Sequence, residues 1–447
     1  MKARWYVMLL AASLMTSCGG APNRHPSTPL EDENEYYVET AEQTRVGDSY
    51  FGEEKAVVDI VEPAANSPMP GDPTVKMLNV YVENSGSMDG YVVNGGDLAV
   101  LVEDYINQLM HCGIRIENRQ YCFVNSKIIP ITQSSKEFAD KIQPTQFKKA
   151  GGNRGTSDLA DIFEKVVPWS DDTLCLLVSD MIFSPGKGLN ADDYIKRQCN
   201  RIKDKLRNVG SNVSVLLYRF EGKYNGIYYD KQDRKSSFNG MRPFFLCAIG
   251  SDEVLKQLRG IEGKLSVPIK NKCIITHHAD AVGYAIVPNG NGNYKVVKNN
   301  NHAITNAKLS KGKGHTKNVG QPKLTINIMV DFSKLLCNEQ YLLDTSNYVT
   351  DNAHYRVVSI RKVEHPRFSH VLQIEATSNN AATVCVSLKN KMPRWIYFFN
   401  DDQGLAAKPT DSVQCTYGLK RMAGAMFDAF TSDKSTICDM EISINHK

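Results

Sequence analysis

The sequence predicts an α/β fold in two parts: a doubly wound domain over residues 75–262, then a β-rich, sandwich-like region over 263–447 that carries one helix. Three observations predict it. Nearly unbroken apolar runs of strand length, Met77–Val82 and Leu174–Val178, read as strands buried on both faces of a parallel sheet. Segments of helical periodicity alternate with them, the pattern of a sheet layered by helices. After Glu262 the apolar residues recur at every second position, with Asn, Gly and Asp clustered between the runs, as in antiparallel sheets packed face to face.

Each element has its own justification. Residues 1–17 read as a signal peptide: Lys2 and Arg4 precede Trp5–Leu14, an apolar stretch too short to span a bilayer as a mature helix. Leu14-Met15-Thr16-Ser17-Cys18 resembles a bacterial lipobox, in which Cys18 becomes the lipidated first residue of the mature chain. Gly19 stands where an aspartate would keep a lipoprotein on the inner membrane, so the resemblance implies outer-membrane attachment. Residues 18–74, with prolines from Pro22 to Pro73 and an acidic run at Glu31, Asp32, Glu33 and Glu35, read as an extended, solvated tether. Within 75–262, Leu98, Leu101, Val102, Tyr105, Ile106 and Leu109 recur at helical spacing behind the capping candidate Asp97. Leu159, Ile162, Phe163 and Val166 form a second stripe, and Ile195, Cys199, Ile202 and Leu206 a third behind Asn190. Val213–Phe220 and Phe244–Ile249 have strand length, and Ser251 opens a short helix with Val254, Leu255 and Leu258.

The residues that carry chemistry stand where these strands end. Val80–Val82 runs straight into Glu83, Ser85 and Ser87, with Gly86 placed to turn the chain between the two hydroxyls. One carboxylate and two hydroxyls form a hard-oxygen set of the kind Mg²⁺ prefers. A glycine-rich segment, Gly151-Gly152-Asn153-Arg154-Gly155, leads to Thr156 at the head of a helical pattern, and the apolar run Leu174–Ser179 ends on Asp180. In a doubly wound domain, ligands sit beyond the carboxyl ends of the strands, where these pieces fall. Taken one at a time, the serines read as a polar turn, and Thr156 and Asp180 as helix caps.

Together, the three pieces resemble the metal-ion-dependent adhesion site of the von Willebrand factor A family: Asp-x-Ser-x-Ser, then a Thr after a glycine-rich loop, then an Asp after a central strand. Ser85, Ser87, Thr156 and Asp180 match that pattern, Glu83 stands where the family has Asp, and Met181 where it usually has Gly. The resemblance implies a divalent ion, Mg²⁺ or else Mn²⁺ or Ca²⁺, held by Glu83, Ser85, Ser87, Thr156 and Asp180. It implies that Asp180 acts through water, leaving an electrophilic metal that accepts a carboxylate from a protein ligand. Glu83, one methylene longer than Asp, either binds the metal directly, crowds the open position or leaves the site without its ion.

In the C-terminal region, Leu324, Ile326, Ile328, Val330 and Phe332 alternate strictly, as do Val384, Val386 and Leu388. Tyr355–Val363, Val371–Ala376 and Cys438–Ile444 are further strands. Tyr417, Leu419, Met422, Met426, Phe427 and Phe430 mark one amphipathic helix near 415–430, whose docking face the periodicity leaves open. Residues 289–323 hold seven lysines and no acidic residue, a solvated hairpin loop that could touch an anionic polysaccharide.

Composition excludes several classes. The chain has 53 basic and 49 acidic residues, and loss of Lys2 and Arg4 with the signal brings it near neutrality, so nucleic acid is not an expected partner. Of the 11 cysteines, Cys18 is assigned to lipid, and most others read as buried apolar thiols, with a disulfide among Cys337, Cys385, Cys415 and Cys438 left unassigned. His277 and His278 are adjacent, which on a strand points them to opposite faces, so they read as solvated rather than as a zinc pair. No nucleophile elbow and no Ser-x-x-Lys accompanies Ser85 or Ser87, which gives no support for an enzyme. The expectation is a lipid-anchored envelope protein that binds a macromolecular partner through a divalent ion. The alternatives are a metal-free assembly lipoprotein and, behind it, a metal-assisted hydrolase.

Overall fold

The computed structural model describes residues 71–445 apart from 94, 156–157, 169, 186–187, 230–233, 280, 289–291, 311–321, 403–413 and 432–433. Cys18 and nearly all of the 18–74 tether lie outside the described residues, as does Thr156.

Alternation of apolar side chains along the strands builds a three-layer arrangement. In chain order the first part runs β1 (Thr74–Glu83), α1 (Asp97–Leu109), β2 (Arg115–Val124), β3 (Ile128–Thr132), α2 (Ser135–Lys141), α3 (Pro144–Lys149), α4 (Leu159–Val166), β4 (Thr173–Ser179), α5 (Ala191–Arg207), β5 (Val213–Tyr229), β6 (Lys235–Ser251), α6 (Asp252–Leu258) and β7 (Asn271–Ile275). The seven strands form one mixed sheet in the order β3-β2-β1-β4-β6-β5-β7. Leu78, Val80 and Val82 of β1 and Leu174, Leu176 and Val178 of β4 pack with α1, α2, α3 and α6. Tyr81, Cys175 and Leu177 point the other way, into a second core with α4 and α5. Each fully buried aliphatic side chain contributes about 1.5–3 kcal/mol of transfer free energy, so two continuous cores hold the sheet from both faces. Two of the three expected caps are formed: Asn190 accepts a hydrogen bond from the Asp193 amide at the start of α5, and Ser251 one from the Val254 amide at the start of α6. Asp97 is not a cap: Gly96 holds that position without a side-chain hydrogen bond, and the Asp97 carboxylate accepts the Lys223 amide of β5 at 2.7 Å instead.

β1 is the centre of the parallel portion. It pairs parallel with β2, Val82 opposite Phe123, and parallel with β4, Val82 opposite Val178. The strands expected at 77–82 and 174–179 are therefore neighbours with level carboxyl ends. Beyond β4 the sheet becomes antiparallel. β5 and β6 are 17-residue strands of one long hairpin, in register from Val213↔Ser251 to Tyr229↔Lys235, and β6 lies antiparallel against β4.

The second part runs β8 (Gly283–Val287), β9 (Lys295–Val297), β10 (Asn300–Thr305), β11 (Leu324–Asp331), α7 (Glu339–Leu343), β12 (Tyr348–Thr350), β13 (Tyr355–Lys362), β14 (His370–Ala376), β15 (Ala382–Lys389), α8 (Arg394–Phe398), β16 (Asn400–Asp401), β17 (Thr416–Tyr417), α9 (Leu419–Thr431) and β18 (Thr436–Ile444). Two sheets, β13-β14-β11-β8 and β12-β15-β18-β10-β9, bury alternate residues in a shared core that includes Ile326, Ile328, Leu372, Val386, Met440 and Ile442. The lysine-rich segment is not a plain loop: its described residues include β9 and β10, and β10 pairs with β18.

The chain then returns to the first sheet. α9 buries Leu419, Met422, Met426 and Phe430 in the core that α4 and α5 share. Ion pairs of Lys203 with Asp428 and Arg421 with Asp192 flank the α5–α9 contact. The Arg219 guanidinium, buried in β5, stacks 3.5 Å from the Phe399 ring centroid and pairs with Glu221 at 2.7 Å. All ten cysteines among the described residues are free thiols, so no disulfide links Cys337, Cys385, Cys415 or Cys438.

Met426 has no solvent exposure. Met426→Ala is expected to lower stability by about 2–5 kcal/mol, the cavity-forming range. Chemical denaturation followed by circular dichroism checks this, and an unchanged midpoint would contradict the docking of α9 on the first sheet.

Candidate metal centre at the carboxyl ends of β1 and β4

The level strand ends leave backbone and side-chain polar groups to be satisfied in a water-poor crevice, and the local sequence supplies the partners. Asn84, fully buried, donates its amide to the Phe147 carbonyl at 2.6 Å and accepts from Arg154 Nε at 2.7 Å. Asn125, at the matching end of β2, donates to the Gly151 carbonyl at 2.9 Å. Gly152 presses against it with φ +75°, and a Cβ there would lie 2.0 Å from Asn125 Oδ1, so no other residue fits. The glycine-rich segment is thus clamped onto the β1 end. Gly86, expected to be required by its turn, has φ −65° and ψ −30°, open to any residue. Its contribution is its amide, which donates to the Arg154 carbonyl at 2.9 Å.

The structure brings three of the expected residues together. Ser85 Oγ and Ser87 Oγ are 3.0 Å apart. Asp180, 1 % exposed, accepts the Ile182 amide on Oδ1 at 3.3 Å. Burial drives the Asp180 pKa up, while the Arg242 guanidinium and the nearby Ser87 hydroxyl pull it down, and burial prevails. Asp180 Oδ2 has no hydrogen-bond partner of ordinary geometry among the described residues. Glu83 is equally buried, but it receives the Ser179 hydroxyl, which itself accepts the Met181 amide at 2.8 Å. In the strand alternation Glu83 follows Tyr81 and Asp180 follows Val178, so the two carboxylates leave the sheet toward different cores. Met181 adopts φ +53°, the left-handed conformation in which the family pattern carries Gly.

The donors are hard oxygens, and a buried carboxylate oxygen without a partner is what a Mg²⁺ ion would satisfy. In that respect the residues fit such an ion. Ser85, Ser87 and Asp180 would hold it. The charge is sparse: among the described residues no group of three or more His, Cys, Asp or Glu side chains forms a metal cluster.

Several residues of this region were not foreseen. A single 3-10 turn, Ser87–Gly90, follows the serines, and the outer half of the β5–β6 hairpin folds over it. Gly222, Tyr224, Gly226 and Tyr228 alternate along β5. A Cβ on Gly90 would meet the Tyr224 ring at 2.2 Å, and one on Gly226 would meet Gly90 Cα at 2.7 Å. The Gly-Tyr alternation, visible in the sequence, was the available signal. Arg242 of β6 is 1 % exposed, with Tyr224 and Tyr228 centroids each 4.7 Å from its guanidinium carbon and Tyr91 at 5.9 Å. On the opposite, half-buried side, Arg154 pairs with Asp89.

His277 and His278 lie beyond β7 on a separate cleft of about 1210 Å³ that Arg367 and Lys434 also line. The His277 ring packs at a tilt against Phe430, centroids 4.5 Å apart, and His278 Nδ1 is 3.0 Å from the Thr436 carbonyl. Comparison with protein-family models, curated proteins and solved structures gave no match.

Because the folded-state pKa of Asp180 is raised above its ordinary 3.8, its folded form binds a proton more readily than the unfolded chain. Its contribution to stability is therefore unfavourable at neutral pH and is relieved as pH falls through the raised value toward 3.8. Asp180→Asn is expected to be at least as stable as wild type at neutral pH, with the difference shrinking on acidification. Denaturation midpoints across pH 4–7.5 measure this, and a constant difference would contradict it.

Proposed function

We propose that this chain is a lipid-anchored envelope protein, attached through Cys18 to the outer membrane, that binds a protein partner through a divalent ion. On this reading residues 75–262 are a von Willebrand factor A-like domain, and the paired sheets of the second part a sandwich-like companion to it. The observation that carries the reading is the parallel β1–β4 pairing, which sets Ser85 and Ser87 beside a buried Asp180 with an unpartnered oxygen. Thr156, which lies outside the described residues, belongs to the same proposed ligand set.

When bound, Mg²⁺ would supply an electrophilic position for a partner carboxylate. The chain's own residues do the rest. The two serines contribute neutral oxygens, Asp180 contributes charge, and the Asn84–Arg154 contacts hold the glycine-rich loop in place. Glu83, fixed by Ser179, orients the β1 end. The proposed role is binding. A second reading, a metal-free assembly protein, draws on Arg242, whose guanidinium already opposes the larger upward push of burial on the Asp180 pKa.

Calorimetric titration of the full chain with Mg²⁺ and Mn²⁺ separates these readings. Asp180→Ala is expected to abolish ion binding with little loss of fold stability. Glu83→Asp tightens binding if the longer side chain crowds the ion and weakens it if Glu83 is a ligand. No binding by wild type or Glu83→Asp would retire the ion in favour of the assembly role. Cys18→Ala should move the protein out of the membrane fraction, and unchanged partition of a processed variant would overturn the anchor.

A further inference from the structure

The β5–β6 hairpin carries a positive charge to the same strand ends. β4 and β6 pair antiparallel with Ser179 opposite Phe245, so Asp180 lies level with Phe244. Val178, Leu246 and Phe244 all face the first core. Arg242, two residues from Phe244, therefore projects from the same face of the sheet as Asp180, one step along the diagonal. No ion pair within 4 Å joins them. Asp180 Oδ2 and Arg242 Nε and Nη1 are all buried and have no hydrogen-bond partner of ordinary geometry among the described residues, with the Ser87 hydroxyl beside the carboxylate and the Tyr224 hydroxyl beside the guanidinium. Two opposite charges thus share one enclosed region without neutralising each other by contact.

The guanidinium is held there by construction. Gly226 lets the hairpin lie against Gly90, and the faces of Tyr224 and Tyr228 bracket the cation while Tyr91 closes one side. Tyr91 is itself fixed by donating its hydroxyl to the Pro243 carbonyl. Arg242 is 1 % exposed and cannot swing to solvent unless the hairpin lifts. A fixed unit charge in such a place acts on any cation at Asp180 with little screening.

We propose that Arg242 is a built-in cation that competes with a divalent ion for Asp180 and so sets how tightly this site holds one. The proposal rests on the ion-binding reading for its natural role, but not for its test. It assigns the site a weak ion affinity in the wild-type chain, because the ion meets a charge that the aromatic cage does not let go. A guanidinium serving only as a packing plug would leave ion affinity unmoved when its charge is removed.

Mg²⁺ and Mn²⁺ titration of the full chain at fixed ionic strength, with near-UV circular dichroism to confirm folding, tests this. Arg242→Gln is expected to tighten ion binding by about tenfold or more, the scale of removing one poorly screened charge. Arg242→Met, apolar and able to pack on the tyrosine rings, should do the same and stands in if the Gln variant does not fold. Arg242→Lys, which keeps the charge, should bind the ion as wild type does. Equal affinities in wild type and the uncharged variants overturn the proposal and leave the ion-binding reading standing. Binding by the uncharged variants alone supports the proposal and retires the ion from the natural protein. Binding by neither retires both.

Discussion

The structure depends on the pairing of β1 with two parallel neighbours. A parallel strand buried on both faces must be covered by helices on either side, and its side chains alternate between the two cores accordingly. The same pairing levels the ends of β2, β1 and β4, so that Asn125, Asn84 and Asp180 emerge together. Polar groups emerging into a dry crevice need partners. Asn84 finds its partners in the Phe147 carbonyl of α3 and in Arg154, and Asn125 finds its partner in the Gly151 carbonyl, a close approach at which Gly152 must lack a side chain. Asp180 finds only part of its complement in the Ile182 amide.

The antiparallel half of the sheet solves a different problem. β5 and β6 each exceed the length of the sheet core, and their outer halves would be a free two-stranded ribbon of marginal stability. They are stabilised by lying on the Ser87–Gly90 turn, tyrosine faces inward and glycines at the closest approach. That packing encloses Arg242 near Asp180 and removes both charges from water. Desolvation of this kind is unfavourable unless the charges are paired. The arrangement lies at the proposed binding site.

The β-rich part is joined to the first sheet by more than one connection. Trp395 and α9 enter the core built by α4 and α5, and Trp395 Nε1 donates to the Lys272 carbonyl at 3.0 Å. Lys256 of α6 donates to the Ser333 carbonyl at 3.4 Å, and Arg259 donates to the Cys337 carbonyl at 2.7 Å. Covering one face of the first sheet with a helix from the far end of the chain makes the two parts energetically dependent on each other.

Local pattern was enough wherever one residue's environment repeats along an element. The stripes of α1, α4 and α5, the unbroken apolar runs of β1 and β4, and the strict alternation in β11, β15 and β18 were legible because burial imposes a period of 3.6 or 2 on the sequence. The order Ser85, Ser87, Asp180 at strand ends was legible for the same reason. β2 was not, since the outer half of Arg115–Val124 is polar and exposed and only its last four residues are buried. α2 and α3 are too short to show a period. Whether β6 would lie beside β4, whether α9 would return to the first sheet, and where Glu83 would send its carboxylate depended on which distant segments met. The cage of Arg242 depended on the same choice. Such pairings are fixed by burial summed over the whole chain, so a window of sequence determined the elements and their faces, while the tertiary structure alone decided which charges share the crevice at the end of β4.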